Sequence, residues 1–394
     1  MRSATLLALL PLAMAAPSAL RRDSPAPLVK PRGADVVQGK YIVKFKKDIV
    51  STSSIDSLIE STVATIAADA DYVYKSKFAG FASSLTDAEV EALQNDPNVE
   101  YIEQDAIIKA YVTQEDATWG IARLSSQKPG GTTYTYDESA GEGTCAYVVD
   151  TGIDVDHEEF EGRATWLKNF ADKDNTDGQG HGTHVSGTIG SKTYGVAKKT
   201  QLFAVKVLDA SGSGTTSGVV AGMDFVTSDF PSQDCPKGAV VNMSLGGSAS
   251  DSINEAAENI VSAGIFLAVA AGNEGTDASS SSPASAPSAC TVGATEDDDS
   301  LASYSNFGSV VDILAPGTDV TSTWPGGDTN TISGTSMASP HIAGLAAYLL
   351  GLGGDAPTEP VELCSYIAKT GLSDVVTGVP KDTINSLANN GASA

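Results

Sequence analysis

Long apolar runs are missing from this chain of 394 residues. The most apolar N-terminal stretch, residues 4–16, falls short of the ~20 residues a membrane-spanning helix needs. The runs at 263–272 and 342–352 are shorter and read as buried core. Basic side chains are scarce as well: Lys+Arg number 24 against 49 Asp+Glu, a net charge of −25. Bulk electrostatics therefore argue against nucleic acid or an anionic membrane as partner. Only four histidines occur, His157, His181, His184 and His341, and no His-Glu-x-x-His motif accompanies them, so a multi-histidine metal centre is not expected. The four cysteines, Cys145, Cys235, Cys290 and Cys364, form no Cys-x-x-Cys pair, which removes the usual zinc and redox motifs. The last residues, 389–394, are polar and small, with no apolar tail for a lipid-anchor signal.

What is present points to a secreted, folded protein. At 41% hydrophobic and 19% charged, the chain can bury a sizeable core. Arg2 precedes the apolar run, and Ala13 and Ala15 are placed as a signal-peptidase site, so residues 1–15 read as a signal peptide and the location as extracellular. An even cysteine count in such a chain suggests two disulfides, with three pairings open. The acidity is uneven. Residues 1–111 hold 12 basic and 14 acidic side chains, whereas the remainder holds 12 and 35. Two parts with different surfaces are expected.

The pattern of elements also changes. Residues 17–39, rich in Pro, Arg and Ala, read as an unstructured leader. Then come a strand at 41–45, a helix at 54–66 and two strands around Gly80 within 72–85. A helix with a Thr86/Glu89 capping box follows, then a closing strand at 99–108. That βαββαβ order predicts a small α+β, ferredoxin-like domain. Beyond residue 118, apolar strands at 146–150, 202–209, 240–244, 265–271 and 310–314 alternate with helical stretches near 182–190, 216–230, 252–263 and 336–350. The alternation predicts an α/β fold, a parallel sheet with helices on both faces and its site at the carboxyl ends of strands.

Four motifs carry chemistry. Asp150 ends a buried strand and is followed by Thr-Gly; His181 opens a helix in Gly-His-Gly-Thr-His; Asn273 follows Ala-Ala-Gly; Ser336 sits in Gly-Thr-Ser-Met-Ala at a helix start. Singly, each is a common turn or cap. Together they supply what nucleophilic acyl transfer needs. Serine needs a base, the base a carboxylate, and the tetrahedral intermediate donors for its oxyanion. In this order the motifs resemble those of the subtilisin-like serine proteases, over essentially all of residues 112–394. The resemblance is greatest to the proteinase K-like fungal branch, through Ser211-Gly-Ser-Gly, Met223-Asp-Phe, Asn242-Met-Ser-Leu-Gly-Gly and Ser282-Pro-Ala-Ser.

The resemblance implies a secreted endopeptidase with Asp150, His181 and Ser336 as its triad and Asn273 as oxyanion donor. It implies that Gly212, Ser213 and Gly214, with Ser244, Leu245 and Gly246, bind the peptide substrate as an added strand. Ala270 and Gly272 would line a first pocket suited to aromatic or bulky apolar side chains. Thr216 departs from the Tyr that relatives often carry at the fourth subsite. Disulfides Cys145–Cys235 and Cys290–Cys364 are implied, as is one structural calcium held by the carbonyls of Pro287 and Ala289 and the carboxylate of Asp312. The stretch 372–378 departs from the pattern of a second calcium site, and no catalytic cofactor is expected. Residues 16–111 would be a propeptide whose inhibitory domain spans about 40–108. The enzyme would act as a monomer on proteins and peptides, with its own propeptide as inhibitor. Self-cleavage is expected between Tyr111 and Val112, Tyr111 filling the first pocket, Ile108 the fourth and Lys109 facing solvent. Residues 112–116 would then be a flexible start.

Other readings are weaker. An inactive peptide-binding protein of the same fold would not need an intact triad, and an esterase would be expected to show a Gly-x-Ser-x-Gly elbow. His184 and His341 read as structural, His157 and the acidic run 296–299 as solvated. The sequon at Asn242 falls on a buried strand and is expected to stay unmodified.

Overall fold

The computed structural model describes residues 24–31, 36–47, 55–66, 69–106 and 111–392, so the expected signal peptide 1–15 lies outside the described residues. The chain divides into two compact units, residues 1–108 and 109–394.

In the first unit the strands run, in sheet order, Leu28–Val29, Val99–Ala106, Val36–Phe45, Gly80–Ser84, Ala70–Tyr74. The four longer strands are antiparallel, and helices Ile55–Ile66 and Asp87–Gln94 complete the βαββαβ order. Val43, Phe45, Phe81, Val99 and Ile102 from the sheet meet Ile59, Ile66, Val90 and Leu93 from the helices in one core. Thr86 caps the second helix as expected, with Glu89 Oε2 accepting the Thr86 N–H at 2.7 Å. The leader reading of residues 17–39 needs correction. Leu28 pairs with Ile102, the strand beginning at Val36 reaches Ala106, and Ala26 is buried with its N–H on Gln94 O at 2.7 Å. Backbone pairing at a sheet edge requires no apolar alternation, so composition hid it.

The second unit is built on a nine-stranded sheet. Its order is Leu372–Ser373, Ser386–Leu387, Ile313–Pro316, Cys290–Thr295, Phe266–Ala270, Ala239–Met243, Cys145–Asp150, Gln201–Lys206, Ala164–Asn169. All neighbours are parallel except the first pair. Every residue of Cys145–Asp150 is fully buried, and its alternation feeds two cores. Ala146 and Val148 pack with helices His181–Gly190 and Thr335–Leu352, while Cys145, Tyr147 and Val149 pack with Thr216–Asp229 and Asp251–Ser262. Helices on both faces follow from that two-sided burial. Helix Thr335–Leu352 is apolar or small on nearly every side and is buried accordingly.

Strands Ala164–Asn169 and Cys290–Thr295 and helix Pro360–Thr370 were not expected. The first is a half-exposed edge strand and the second is made of small and polar residues, so neither shows an apolar run. Cys145 is bonded to Cys235 and Cys290 to Cys364, with no free cysteine among the described residues. Residues 112–114 are not a loose start. Strand Tyr111–Gln114 pairs with Tyr134–Asp137, Tyr111 opposite Asp137. Among the described residues no helix is long and apolar enough to cross a membrane.

Two corrections concern polar groups. His157 is 4% exposed rather than solvated. Its Nδ1 accepts the Glu159 N–H at 3.2 Å, leaving Nε2–H to donate to Asp328 O at 3.0 Å. Asp299, from the acidic run, is 5% exposed and takes a two-pronged bond from Arg123, Nε to Oδ1 at 2.7 Å and Nη2 to Oδ2 at 2.9 Å. Removing one partner of such a pair leaves a buried charge uncompensated. Arg123→Ala is therefore expected to cost roughly 3–5 kcal/mol of stability, read as a clear fall in the temperature of heat inactivation. An unchanged inactivation temperature would refute this account of the pair.

Candidate active site

The carboxyl ends of adjacent parallel strands face one crevice, at the point where the chain's strand order reverses around Cys145–Asp150. Asp150 ends that strand. Helix His181–Gly190 begins at the crevice, Ser244–Gly246 follow strand Ala239–Met243, and Gly272 and Asn273 follow Phe266–Ala270. Helix Thr335–Leu352 also starts there, with Ser336 in its first turn.

His181 Nδ1 lies 2.8 Å from Asp150 Oδ1 and 3.0 Å from Oδ2. A carboxylate only accepts, so Nδ1 carries the proton and Nε2 is left as the acceptor. Asp150 has no exposed surface, and its Oδ1 also takes the Thr151 N–H at 2.7 Å. Burial pushes the His181 imidazole down, but the charge and hydrogen bond of Asp150, with the charge of Asp177, outweigh it and hold its pKa above the ordinary value. His184, one turn on, is a different kind of histidine. Its Nε2 meets Val320 O at 3.0 Å and Asn330 O at 3.2 Å, and burial pushes its pKa down to about 4. His341 is likewise buried, at about 4, with Nδ1 2.8 Å from Met337 O.

Pro340 shapes the surroundings of Ser336. It has no N–H, so the carbonyl of Ser336, four residues back, lacks its helical donor. Ser244 Oγ supplies one at 2.7 Å, and Ser336 Oγ donates in return to Ser244 O at 3.1 Å rather than to His181. Behind this pair, Asn242 Nδ2 donates to Ser244 Oγ at 2.9 Å and Ser339 Oγ donates to Asn242 Oδ1 at 2.8 Å. Asn242 is fully buried and engaged at both ends, which leaves no room for a glycan.

Asn273 is oriented by its oxygen. Oδ1 accepts from Thr335 N at 2.8 Å and from Thr335 Oγ1 at 2.9 Å, leaving Nδ2 free to donate. It lines a cleft of about 380 Å³ with Ala270, Gly272, Leu245, Gly246 and Ser336. Gly272 sits at φ +105, and a Cβ there would lie 2.3 Å from Asn306 Nδ2 and 2.8 Å from Glu274 Oε2. Asn306, 1% exposed, ties this wall together, donating to Ala271 O at 3.0 Å and Glu274 Oε2 at 2.8 Å. A second cleft of about 450 Å³ joins the first at Leu245 and Gly246; it is lined by His181, Ser244, Thr216 and Gly212, Ser213 and Gly214.

Not every backbone group of that last segment is open. Asp209 O takes the Gly212 N–H at 2.9 Å, Ser213 O takes the Asp209 N–H at 2.8 Å, and Asp209 Oδ1 takes the Ser213 N–H at 3.1 Å. Among the described residues, the Gly212 carbonyl and both Gly214 backbone groups have no hydrogen-bond partner. Tyr111 lines neither cleft; it is 53% exposed on its paired strand.

The residues implied for calcium meet elsewhere. Pro287, Ala289 and Asp312 border a cavity of about 520 Å³. Asp312 Oδ2 accepts the Thr291 N–H at 2.8 Å, and burial pushes its carboxyl up to about 6. A half-buried carboxylate at the edge of such a cavity suits a hard cation. Cys290 and Cys364 lie close by but are joined in a disulfide and offer no thiolate. Sequence reasoning missed Asp177, Asn242, Asn306 and Ser339. Asn242 stood in a motif of the resemblance and in the sequon, and Asp177 lies four residues before His181 in a Gly-rich stretch, but neither was given its role.

Comparison with known proteins bears on the same residues. The model of the subtilase family matches residues 141–376, and that of the peptidase inhibitor I9 matches residues 40–111. The chain is 54% identical over 395 residues to a cuticle-degrading protease of Metarhizium anisopliae, covering all of both chains. It is 68% identical over 294 residues to Proteinase T of Parengyodontium album, covering 74% of this chain and 99% of that one. A solved cold-adapted subtilisin-like serine proteinase matches with 41% identity and a TM-score of 0.65, covering 70% of this chain and 99% of its own.

The Pro340 account makes a coupling prediction. Ser244→Ala leaves the Ser336 carbonyl without a donor and is expected to cost about 1–3 kcal/mol. In a Pro340→Ala background a helical N–H returns, and the same change is expected to cost measurably less. Equal costs in the two backgrounds, by thermal unfolding of the inhibited proteins, would refute the coupling.

Proposed function

The chain belongs to the subtilase family of serine proteases, and on that premise we propose that it is a secreted endopeptidase, made as a self-inhibited precursor and acting as a monomer. The observation that carries this reading is the meeting of Asp150, His181, Ser336 and Asn273 at one crevice from four separate parts of the chain. No residue of that set is replaced, so the inactive peptide-binding alternative has no support.

The chemistry follows from the contacts. A peptide entering between Gly214 and Ser244–Gly246 can pair as an added strand and compete for the Ser244 carbonyl. That releases the Ser336 hydroxyl, which now holds this carbonyl, to turn toward His181. His181 Nε2 takes the proton as Oγ attacks the scissile carbonyl, and Asp150 stabilises the imidazolium. Asn273 Nδ2 and the Ser336 N–H, a helix-start donor without a partner among the described residues, face the oxyanion. His181 returns its proton to the leaving amine, which departs, and an acyl-enzyme ester remains on Ser336. Water, deprotonated by the same imidazole, then hydrolyses the ester. The Ala270 and Gly272 wall leaves space for an aromatic or bulky apolar side chain before the cut. Secretion rests on the signal-like segment 1–15 and on two disulfides, a bond rare in reducing compartments.

Maturation is proposed between Tyr111 and Val112, with the tail of residues 107–110 lying outside the described residues. Tyr111 cannot occupy the first pocket while paired with Asp137, so the strand Tyr111–Gln114 must be unpaired when the bond is cut. Pairing afterwards would hold the new N-terminus away from the cleft.

Ser336→Ala tests the whole reading. It is expected to lower peptide hydrolysis on the order of 10⁶-fold, a figure known from subtilisin rather than set by this geometry. It should also abolish labelling by an organophosphonate and leave residues before 112 joined to the rest. Folded, propeptide-free wild-type protein that resists the label would overturn the protease reading. Normal cutting of Ser336→Ala near residue 112, in a host without other subtilases, would overturn self-cleavage alone.

Calcium at Pro287, Ala289 and Asp312 would act on stability. At a free concentration 100 times its dissociation constant, one such ion contributes about 2.7 kcal/mol. A chelator is thus expected to lower the heat-inactivation temperature of the wild type and to change Asp312→Ala much less. Equal sensitivity in the two proteins would refute the assignment.

A further inference from the structure

Asp177 belongs to no helix or strand and is 7% exposed, yet its carboxylate accepts five hydrogen bonds. Oδ1 takes the Thr151 hydroxyl at 2.8 Å, the Gly180 N–H at 2.8 Å and the Gln179 N–H at 3.2 Å. Oδ2 takes the Thr183 N–H at 2.8 Å and the Thr183 hydroxyl at 2.6 Å. The donors flank the Asp150–His181 pair. Thr151 follows Asp150, Gly180 precedes His181, and Thr183 lies two residues beyond it. The two segments are further stitched by the Gly182 N–H on Thr151 Oγ1 at 2.9 Å and the Asp154 N–H on Thr183 Oγ1 at 2.9 Å. They approach so closely that a Cβ on Gly182 would lie 2.0 Å from Gly152 O. Capping a helix start requires only the N–H groups of that helix. The Thr151 bond is additional, and it reaches the segment that carries the catalytic carboxylate.

We propose that Asp177 is a positioning residue for the proton transfer at His181. Its carboxylate joins the turn after Asp150 to the start of the helix that begins at His181, and so holds His181 Nδ1 against both Asp150 oxygens. The proposal rests on the reading of His181 as the base. A misplacement of about 1 Å in such a pair can cost about 10²-fold in rate.

Asp177 also acts through its charge, which helps to raise the His181 pKa. The other titratable groups around His181 can be told apart from it. Asp150 faces the ring from the central strand, and His184 on the same helix is held neutral by burial. From helix Thr335–Leu352 comes His341, also neutral, and from strand Gln201–Lys206 comes Lys206, whose ammonium donates to Thr151 O at 2.9 Å and Leu208 O at 3.0 Å. Strand Val320–Trp324 contributes no titratable side chain. The turn Glu158–Phe160 brings Glu158 and Glu159, the latter engaged by Thr193; Asp154, whose N–H meets Thr183, accepts the Gly326 N–H through Oδ2 at 2.9 Å, and Asp172 lies 3.5 Å from the Lys206 ammonium.

The test compares Asp177→Asn, which removes the charge and turns donors against donors, with Thr183→Val, which removes the hydroxyl that donates to Asp177 and accepts the Asp154 N–H but keeps the charge. Rates are taken per active site titrated with an organophosphonate. Positioning predicts that Asp177→Asn lowers kcat about 10²-fold with KM within about two-fold, since substrate contacts are elsewhere. The rate is lost as His181 gains its proton, so a lowered His181 pKa means activity kept to lower pH. The acid limb of kcat/KM should therefore move down in pH for Asp177→Asn and stay in place for Thr183→Val. Thr183→Val should lower kcat about two- to ten-fold. Variants that lose only heat resistance, with wild-type kcat per titrated site and an unmoved acid limb, would overturn the proposal. Should Asp177→Asn yield no folded enzyme, Thr183→Val decides, and an unchanged kcat overturns it. His181→Ala with near wild-type activity would instead overturn the reading of His181 as the base.

Discussion

A carboxylate without exposed surface has to be hydrogen-bonded, and the second unit is organised around one. Asp150 ends the most buried strand of the sheet, and its oxygens are met by His181 Nδ1 and the Thr151 N–H. The partner histidine must come from another element. It comes from a helix that packs on the same sheet face, through Val185 and Ile189, as the helix carrying Ser336. The apolar cores on the two faces thus set the relative position of groups that are themselves polar.

The remaining geometry follows from backbone groups that lack ordinary partners. Pro340 frees the Ser336 carbonyl, and Ser244 satisfies it; the same serine's carbonyl then holds the Ser336 hydroxyl at rest. Thr335, at the helix start, gives its N–H and hydroxyl to Asn273 Oδ1, which turns the Asn273 amide outward. Gly180 and Thr183, at the other helix start, give theirs to Asp177. In each case a group that would be costly if unpaired is used to aim a group that reacts or binds.

Legibility in the sequence was uneven for physical reasons. The alternation of apolar strands and helices, the four chemical motifs and the capping box at Thr86 are local, repeating or contiguous, and each was read without coordinates. Edge strand Ala164–Asn169 and strand Cys290–Thr295 lack an apolar run, and the pairing of Leu28 with Ile102 is a backbone matter. His157 and Asp299 were read as solvated because their neighbours in sequence are acidic. Their neighbours in space are the Asp328 carbonyl and the Arg123 guanidinium.

By itself the sequence determined the inventory: which residues can attack, abstract a proton or stabilise an anion, and which segments must be buried. Side-chain chemistry and periodicity are properties of the chain. Tertiary structure alone decided which polar residues became junctions. Asp177, Asn242 and Asn306 are ordinary turn or strand residues in the sequence, and each acquires its role by meeting partners from elsewhere. It also decided that Tyr111 lies in an antiparallel strand pair opposite Asp137. Hydrogen bonds between distant segments follow no sequence period; they are set only once the cores have brought those segments to within bonding distance.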